Sequence, residues 1–297
     1  MDTRLNIALV GFGRFGKKYY KLLKKNQNFF LKAIYRKKKF NKNIFQKLSA
    51  SSLRQNKIKA AIICTPIDTH FHLANFFIKK RIPIILEKPA AKNLSEIKKL
   101  IVLSKNYKST VLINHSDLFN NNLNFLISSI KNIGKIEFIE AKFGKFNKSY
   151  KNKKFLPFND WLPHPLAIIL TIINKIEKIE MIKNDMNFKQ KSIFQDLILS
   201  FQNKNKLNGK IYFSNKFKKK KRQVIIYGKK GLIHYNGYDF SNNFIKVKKK
   251  IYPTKKHSSP MQNLLEIFYR LVLKKRFRSD LKLSYEIEKI LDKIKKK

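Results

Sequence analysis

The sequence is poor in cysteine, proline, glycine, tryptophan and acidic residues. Its 297 residues include one cysteine, 8 prolines, 9 glycines, one tryptophan and 18 aspartates and glutamates. The single cysteine, Cys64, excludes an intrachain disulfide framework and is typical of a reducing compartment. Because it follows the apolar run at 60–63, we interpret it as a buried structural thiol.

The sequence also lacks long apolar runs. None approaches the roughly 18 residues that a membrane-spanning helix needs, so we expect no membrane span. The N-terminus leads almost directly into the apolar run Ile7–Val10, which leaves no room for a signal peptide. We therefore expect a cytoplasmic protein.

The shortage of acidic residues leaves a formal net charge of +49. Such a charge is typical of nucleic-acid or anionic-surface binding. Only 9 of the 67 basic residues are arginines, however, and the lysines are scattered along the chain. Asparagine, isoleucine, phenylalanine and tyrosine are abundant too, and A/T-rich codons encode all of these residues. Base composition therefore explains the charge, and we expect no specific nucleic-acid partner; a polyanion-binding protein is the less favoured alternative.

Three of the few glycines lie in the stretch GFGRFG at 11–16, between the strand-like run Ile7–Val10 and a helical pattern that continues to Leu23. A G-x-G-x-x-G between a strand and a helix indicates dinucleotide binding. Gly11 permits the tight turn, Gly13 lets the backbone approach a pyrophosphate, and Gly16 lets the helix pack closely on the strand. The helix N-terminus then faces the anionic pyrophosphate. The alternative is a glycine-rich turn without a ligand.

Strands and helices continue to alternate up to about residue 118. Predicted strands at 29–35, 60–64, 82–86 and 111–114 are separated by a weak helix at 45–53 and by helices at 70–79 and 96–105, the last capped by Ser95. This alternation predicts an α/β Rossmann domain with a doubly wound parallel sheet. Ligands bind at the carboxyl ends of such strands. The residues at those ends are Gly11, Arg36, Thr65, Lys88 and Asn114.

After residue 118 the pattern changes. A helix at 123–130, a strand at 135–146 and an apolar helix at 166–173 precede five strand-like runs that are joined by short polar turns. Two amphipathic helices, 261–273 and 281–294, end the chain. We predict residues 1–118 as the dinucleotide-binding domain. Residues 119–297 form an α+β domain with a largely antiparallel, open-faced sheet.

Together these pieces resemble the Gfo/Idh/MocA family of oxidoreductases. The resemblance rests on GFGRFG at 11–16, CTPIDTHFH at 64–72, ILEKPAAKN at 85–93 and Asp160-x-x-x-His164 before a helix. It spans nearly the full chain, and the E-K-P after a strand is its most specific part. The family implies that a hydride passes between a nicotinamide cofactor and a carbinol or carbonyl carbon of a sugar, cyclitol or nucleotide sugar, with surface-polysaccharide synthesis as one setting. A non-catalytic regulatory member of the same fold is the alternative.

The resemblance also implies roles for particular residues. Lys88 lies beside the nicotinamide and the reacting oxygen, with Pro89 fixing its backbone, and His164 donates or accepts the proton. Asp160, four residues before His164, can orient the imidazole. We expect no metal site, since no His, Cys and Asp cluster has ligand spacing. The expected cofactor contacts are Gly11, Phe12, Gly13, Arg14, Phe15, Gly16, Arg36, Lys37, Thr65, Pro66, His70, Glu87 and Lys88.

Several positions depart from the family pattern. Ala167 stands where a second acidic residue often follows the histidine, and residues 116–120 read Ser-Asp-Leu-Phe-Asn in place of an arginine-rich segment. The family's substrates therefore cannot be transferred to this chain. Arg36 stands where an acidic residue would select NAD, so we expect NADP(H) in preference to NAD(H). We also expect a homo-oligomer that forms through the C-terminal sheet.

Overall fold

The structure is a computed structural model that describes residues 4–36, 45–46, 48–147, 156–189, 192–254 and 259–296. The chain forms two compact units. The first contains residues 1–114 and 261–285, and the second contains residues 115–260 and 286–297. We describe each unit by itself.

The first unit is built on a six-stranded, all-parallel sheet with the strand order β3-β2-β1-β4-β5-β6. This arrangement confirms the predicted Rossmann architecture. Its elements are β1 Leu5–Val10, α1 Arg14–Lys24, β2 Phe29–Tyr35, β3 Phe45–Gln46, α2 Ala50–Gln55, β4 Ala60–Ile63, α3 His70–Lys79, β5 Ile84–Leu86, α4 Leu94–Asn106 and β6 Val111–Ile113.

The strands β4, β5 and β6 contain only apolar residues because helices cover both faces of the sheet. In β1, Ala8 and Val10 belong to a core that also contains Phe77 of α3 and Leu100 of α4. Successive side chains of a strand point to opposite faces, so Ile7 lies on the other face, and it is fully buried there. The sheet therefore holds its carboxyl edge rigidly, and this edge carries the predicted site.

The second unit contains an eight-stranded sheet with the order β14-β13-β12-β11-β7-β10-β9-β8. Among the described strands of this sheet, β7 and β10 pair in parallel and the other pairs are antiparallel, as predicted. Its elements are α5 Asn121–Ser128, β7 Ile136–Gly144, α6 Pro157–Trp161, α7 Pro163–Ile173, β8 Lys178–Lys189, β9 Ser192–Gln202, β10 Asn208–Ser214, β11 Lys221–Gly228, β12 Gly231–Asn236, β13 Phe244–Val247 and β14 Lys250–Pro253.

The two faces of this sheet differ. On one face Ala141, Phe143 and Leu199 are fully buried, and α6 and α7 contact strands of the sheet. On the other face, residues such as Phe138, Tyr212 and Tyr227 remain partly exposed. The predicted open-faced sheet is therefore present.

Two C-terminal helices, α8 Pro260–Leu273 and α9 Leu281–Lys295, complete the chain. The sequence places all of α8 in the second domain, but the structure assigns residues 261–285 to the first unit. The reason is packing: the Phe268 ring stacks on Phe29 at 6.1 Å between centroids, and Asn28 donates a hydrogen bond of 2.7 Å to Glu266. The N-terminal segment of the first unit ends at Asn114, four residues before the predicted boundary.

Two local predictions are wrong. The predicted helix at 45–53 is divided between the short strand β3, which pairs with β2, and the helix α2. The cap of α4 is Asn93, and not Ser95: its side chain accepts a 2.9 Å hydrogen bond from the backbone N–H of Glu96. Within the described residues, no helix is both long and apolar enough to cross a membrane.

Candidate functional site

The glycine turn after β1 has the geometry that the motif predicts. Gly11 has φ +96°, a conformation that other residues rarely adopt, and a Cβ there would lie 2.9 Å from the carbonyl of Cys64. A Cβ at Gly16 would collide with the carbonyl oxygen of Gly11. These two glycines therefore bring α1 against the end of β1, as the close helix–strand packing of a dinucleotide fold requires.

The N-terminus of α1 is open. Gly13 is its N-cap, no side chain caps the helix, and no acidic residue stands in its first turn. A Cβ added at Gly13 would meet no atom within 4 Å, so there is space beside the backbone at this point. Backbone N–H groups and the helix dipole attract anions here, and Arg14 adds a cation. These residues fit the pyrophosphate of a dinucleotide.

The predicted ligand-binding positions lie at the carboxyl ends of the parallel strands. Arg36 directly follows β2, the Thr65-Pro66 pair lies just beyond β4, and Lys88 lies two residues beyond β5. The Lys88–Pro89 peptide bond is cis. Lys37, another predicted cofactor contact, lies outside the described residues.

Glu87 is buried in a hydrogen-bond network at this edge. Its Oε1 accepts a hydrogen bond of 3.0 Å from the hydroxyl of Tyr19 and one of 2.7 Å from the amide of Asn114. Burial raises the pKa of Glu87, although both donors and the charges of Lys88 and Lys18 oppose the rise. Glu87 thus links α1 and the residue after β6 to the segment that carries Lys88.

The sequence did not single out Tyr19 as part of this network. Its position in the apolar face of α1 predicts only a core residue. Burial, followed by the charge of Glu87, raises the pKa of the Tyr19 hydroxyl well above its ordinary value. The same two causes raise the pKa of the Cys64 thiol to about 12, so this thiol is protonated at neutral pH.

His70 is buried between two loops of the same edge. Nδ1 lies 2.7 Å from the carbonyl oxygen of Pro89, and Nε2 lies 2.8 Å from that of Thr65. Burial lowers the pKa of His70, while the two carbonyl oxygens favour its charged form. Only 2% of His70 is exposed. Its two ring nitrogens therefore connect the loop that carries Thr65 with the loop that carries Lys88.

The second unit contains His164. Pro163, which has no backbone N–H to leave unpaired, begins α7, and His164 follows it in the first turn. The ring of Phe143 lies nearly parallel to the imidazole at 6.5 Å between centroids, and the ring of Trp161 lies at 6.3 Å. These two aromatic rings limit the orientations that the imidazole can adopt.

A buried ion pair lies against His164. Nη2 of Arg222, on β11, is 2.6 Å from Oδ2 of Asp117, and the Tyr235 hydroxyl donates a 2.9 Å hydrogen bond to Oδ1. Nδ1 of His164 is 2.8 Å from the same Nη2 and 3.2 Å from the same Oδ2. Burial alone would raise the pKa of Asp117, but Arg222 and His164 hold it well below its usual range.

The structure places the carboxylate of Asp117 beside the imidazole. Asp160, which the sequence predicts to orient His164, contributes its charge to the raised pKa of Arg222. Asp117 lies in the segment where the family resemblance leads one to expect arginines. Arg222 has no local signal at all, because it stands in a lysine-rich run at the start of β11.

Two further histidines differ in their exposure. His72 is exposed and His115 is buried. The described part of the chain contains no group of three or more His, Cys, Asp or Glu side chains that could hold a metal ion.

Comparison with known families decides the assignment of the first unit. Residues 5–115 match the family model described as the oxidoreductase family with an NAD-binding Rossmann fold. This part of the chain is therefore similar to the Gfo/Idh/MocA family. Gly11, Lys88 and Asn114 lie within the matched range. No curated protein sequence matches the chain.

Solved structures share the fold over nearly the whole chain. UDP-N-acetylglucosamine 3-dehydrogenase from Acidithiobacillus ferrooxidans has a TM-score of 0.79 at 14% identity and covers 98% of this chain and 96% of its own. Biliverdin reductase from Synechocystis sp. PCC 6803, in complex with biliverdin and NADP+, has a TM-score of 0.73 at 12% identity, with 98% of each chain covered.

A third structure is an oxidoreductase from Agrobacterium radiobacter in complex with NAD+, L-tartaric acid and magnesium. Its TM-score is 0.79 at 16% identity, and the match covers 98% of this chain and 95% of the other. At these identities the similarity shows the fold alone. The chemically different ligands in the three descriptions show that this fold does not determine the substrate.

Proposed function

We propose that this protein is an NAD(P)-dependent oxidoreductase that acts on the alcohol or carbonyl carbon of a sugar-like substrate, with a nucleotide sugar as the favoured class. The observation that supports this proposal most directly is the open N-terminus of α1, which follows the glycine turn that begins at Gly11. Its free N–H groups and the space beside Gly13 suit a pyrophosphate, and no side-chain cap competes for those donors.

The proposal of a nucleotide sugar draws on the similar fold of the UDP-N-acetylglucosamine 3-dehydrogenase. Synthesis of surface polysaccharides consumes such substrates and is the setting we propose. Biliverdin reductase shares this fold but binds a chemically different molecule, so the substrate of this chain has to be identified by experiment.

The proposed reaction requires chemical roles for two side chains. A bound nicotinamide supplies or accepts the hydride, and reduction of a carbonyl leaves an alkoxide that must be stabilised and protonated. We propose that the ammonium of Lys88, anchored by its buried neighbour Glu87, serves the nicotinamide side of the reaction. His164, held by Asp117 and Arg222, meets the substrate oxygen. We propose Asp160 as part of the charge field around Arg222.

We propose NADP(H) as the preferred cofactor, with NAD(H) as the weaker alternative. Arg36 directly follows β2, where an acidic residue would otherwise accept hydrogen bonds from the adenosine ribose. A guanidinium offers a planar pair of donors to a 2′-phosphate. Because bound structures of this fold contain either cofactor, only a measurement on this chain decides between them.

The open face of the eight-stranded sheet supports a homo-oligomer. Phe138 and Tyr227 stand opposite each other on β7 and β11 with their rings 6.2 Å apart, and Lys142 lies over the ring of Tyr212. Partly exposed aromatic residues of this kind are enriched in protein interfaces. Light scattering at several protein concentrations tests this proposal, and a monomer at every concentration would contradict it. We place the protein in the cytoplasm, where a reduced Cys64 and nicotinamide cofactors are expected.

The decisive experiment identifies ligands that stay with the full-length protein. Mass spectrometry of the gently purified chain should find a nicotinamide dinucleotide, and turnover is then followed by nicotinamide absorbance with a panel of nucleotide sugars. His164→Gln should lower turnover by roughly two to four orders of magnitude while cofactor binding persists. Cofactor binding without turnover of any sugar, cyclitol or nucleotide sugar would contradict the proposed substrate class.

A further inference from the structure

The imidazole of His70 spans two loops of the first unit, one after β4 and one after β5. Nδ1 lies 2.7 Å from the carbonyl oxygen of Pro89, and Nε2 lies 2.8 Å from the carbonyl oxygen of Thr65. Backbone pairing of the two strands ends just before these loops, with the hydrogen bond from the N–H of Glu87 to the carbonyl oxygen of Ile63. Beyond that point the imidazole connects the two segments.

Both partners of the ring can only accept a hydrogen bond. A backbone carbonyl oxygen has lone pairs and no hydrogen to donate. A neutral imidazole has one N–H group, and its other ring nitrogen is an acceptor, whereas an imidazolium donates from both nitrogens. Only the protonated ring can therefore make both hydrogen bonds. In the neutral ring, one nitrogen lone pair faces a carbonyl oxygen at hydrogen-bond distance, and this contact is repulsive.

Burial opposes the proton that the second hydrogen bond needs. It lowers the pKa of His70, while the carbonyl oxygens of Pro89 and Thr65 act in the other direction. Because burial is the larger effect, the ring is neutral at neutral pH and gains its second proton only below the usual histidine range. At neutral pH the ring can therefore donate to one of the two loops at a time.

The pKa of His70 is shifted by burial and by the two carbonyl oxygens, and no charged side chain of the described residues contributes to the shift. The helix α3 packs against the apolar strands β4 and β5, against the turn at 67–69 and against α4. The titratable and charged groups on these elements near the ring, and on the loops beside it, are Cys64, Asp68, His72, Glu87, Lys88, Lys92, Glu96, Lys98 and Lys99. Asp68 forms an ion pair of 2.8 Å with Lys92.

We propose that His70 is a positioning residue whose second proton joins the two loops: the imidazolium holds both Thr65 and Pro89, and the neutral ring holds one of them. This role differs from the direct cofactor contact that the sequence predicts. Both ring nitrogens face protein oxygens, and only 2% of His70 is exposed. The hydrogen bonds are a property of the protein without a ligand, and only their effect on a cofactor rests on the proposed function.

The two loops carry residues that we expect to border the dinucleotide, namely Thr65, Pro66 and Lys88. Loops that are fixed before binding reduce the cost of ordering them when the ligand binds. The protonated protein should therefore bind the cofactor more tightly than the neutral form, by about two- to tenfold, the range that one hydrogen bond provides. Because coupling between two binding events is reciprocal, the bound cofactor should in turn favour the protonated ring.

Nitrogen NMR of the ligand-free, full-length protein labelled with ¹⁵N-histidine tests the hydrogen bonds directly. The His70 signals are those that disappear in His70→Gln. In mildly alkaline solution we expect one ring N–H signal. In acidic solution in which the protein is still folded we expect two, both slow to exchange with water because both are buried and hydrogen-bonded. A ring that stays neutral until the protein unfolds, or a second hydrogen that exchanges rapidly, would overturn the proposal.

Fluorescence titration with NADPH over the same pH range tests the effect on the cofactor. Relative to His70→Gln, which cannot titrate, the wild type should gain about two- to tenfold in affinity as the pH falls. The matched control is His72→Gln, which removes an exposed imidazole two residues further along α3 and should follow the wild type. The titration of the ligand itself is common to all three proteins.

The outcomes separate this inference from the proposed function. Equal pH profiles for the wild type and His70→Gln, in proteins that bind NADPH, would refute the effect of His70 on the cofactor. A wild type that binds no nicotinamide dinucleotide would refute the proposed function, and the two ring N–H signals would still decide whether the proton of His70 joins the loops.

Discussion

Replacing Glu87 separates its role as a hydrogen-bond acceptor from its role as a charge. In Glu87→Ala, the hydroxyl of Tyr19 and one N–H of Asn114 lose their acceptor inside the first unit. Each unsatisfied buried donor costs about 1–3 kcal/mol, so the substitution should lower the free energy of unfolding by about 2–6 kcal/mol. Glu87→Gln keeps an oxygen at the same place and should cost less than about 1 kcal/mol in mildly acidic solution.

The pH dependence distinguishes the two substitutions further. Because burial raises the pKa of Glu87, the folded protein binds this proton more tightly than the unfolded chain does. The stabilisation from the neutral carboxyl is complete below the ordinary glutamate pKa. It is lost as the pH rises through the higher pKa of the folded state. A glutamine side chain cannot ionise, so Glu87→Gln should become more stable relative to the wild type as the pH increases.

Urea denaturation from mildly acidic to mildly alkaline pH, followed by tryptophan fluorescence and circular dichroism, measures both effects. The alanine variant should show a lower midpoint at every pH, and the glutamine variant should approach and then pass the wild type. If glutamine is as damaging as alanine, or if the difference between glutamine and wild type does not change with pH, the network described here is wrong.

Four further predictions concern the cofactor, the chemistry and the charge. Gly16→Ala forces a Cβ onto the carbonyl oxygen of Gly11 and should lower the free energy of unfolding by about 1–3 kcal/mol, as thermal or urea unfolding would show. Arg36→Asp should move the binding preference from NADPH toward NADH by roughly one to two decades, and calorimetry that finds an unchanged ratio would remove Arg36 from cofactor selection. Lys88→Ala should leave cofactor affinity nearly intact in fluorescence titrations and reduce turnover by roughly two to four orders of magnitude; near-normal turnover would refute its role. Binding of any DNA or RNA, measured by fluorescence anisotropy, should be independent of sequence and fall steeply between low and physiological salt, whereas a sequence-selective complex at physiological salt would favour the polyanion-binding alternative.

The cofactor edge could be predicted because its signals are local. The turn at Gly11, Gly13 and Gly16 and the residues after each strand follow from short stretches of sequence and from the rule that parallel strands end at one edge. The partners of Glu87 could not be predicted in this way. Tyr19 is 68 residues away in sequence, and its hydroxyl reaches Glu87 only once α1 packs on the sheet.

The surroundings of His164 show more clearly what the sequence alone cannot predict. The sequence offers Asp160 as the carboxylate because it stands one helical turn away. The structure brings Asp117 and Arg222, 105 residues apart, to the same imidazole through strand pairing and the turn after β6. Neither residue carries a motif, so only tertiary packing identifies them.

Errors in the elements have similar causes. The apolar residues at 45–53 resemble a weak helix, but backbone pairing with β2 makes residues 45–46 an edge strand. The strand β8 extends over Lys178–Lys189 because it pairs with β9, although its own side chains are mostly exposed. Asn93 and Ser95 both suit an N-cap. The extended backbone of Asn93, with φ −152° and ψ 167°, decides between them.

Cofactor binding by the wild type and by Gly13→Asp tests the central claim most directly. Gly13 has an extended backbone at the N-cap of α1, and its Cβ position is open, so aspartate should cap the helix and preserve or increase stability. Its carboxylate would occupy the space proposed for the pyrophosphate. Calorimetric titration should show saturable binding of NADPH to the wild type and none to the variant. If the wild type binds neither NADPH nor NADH, or if Gly13→Asp binds as well as the wild type does, the proposed dinucleotide site is refuted.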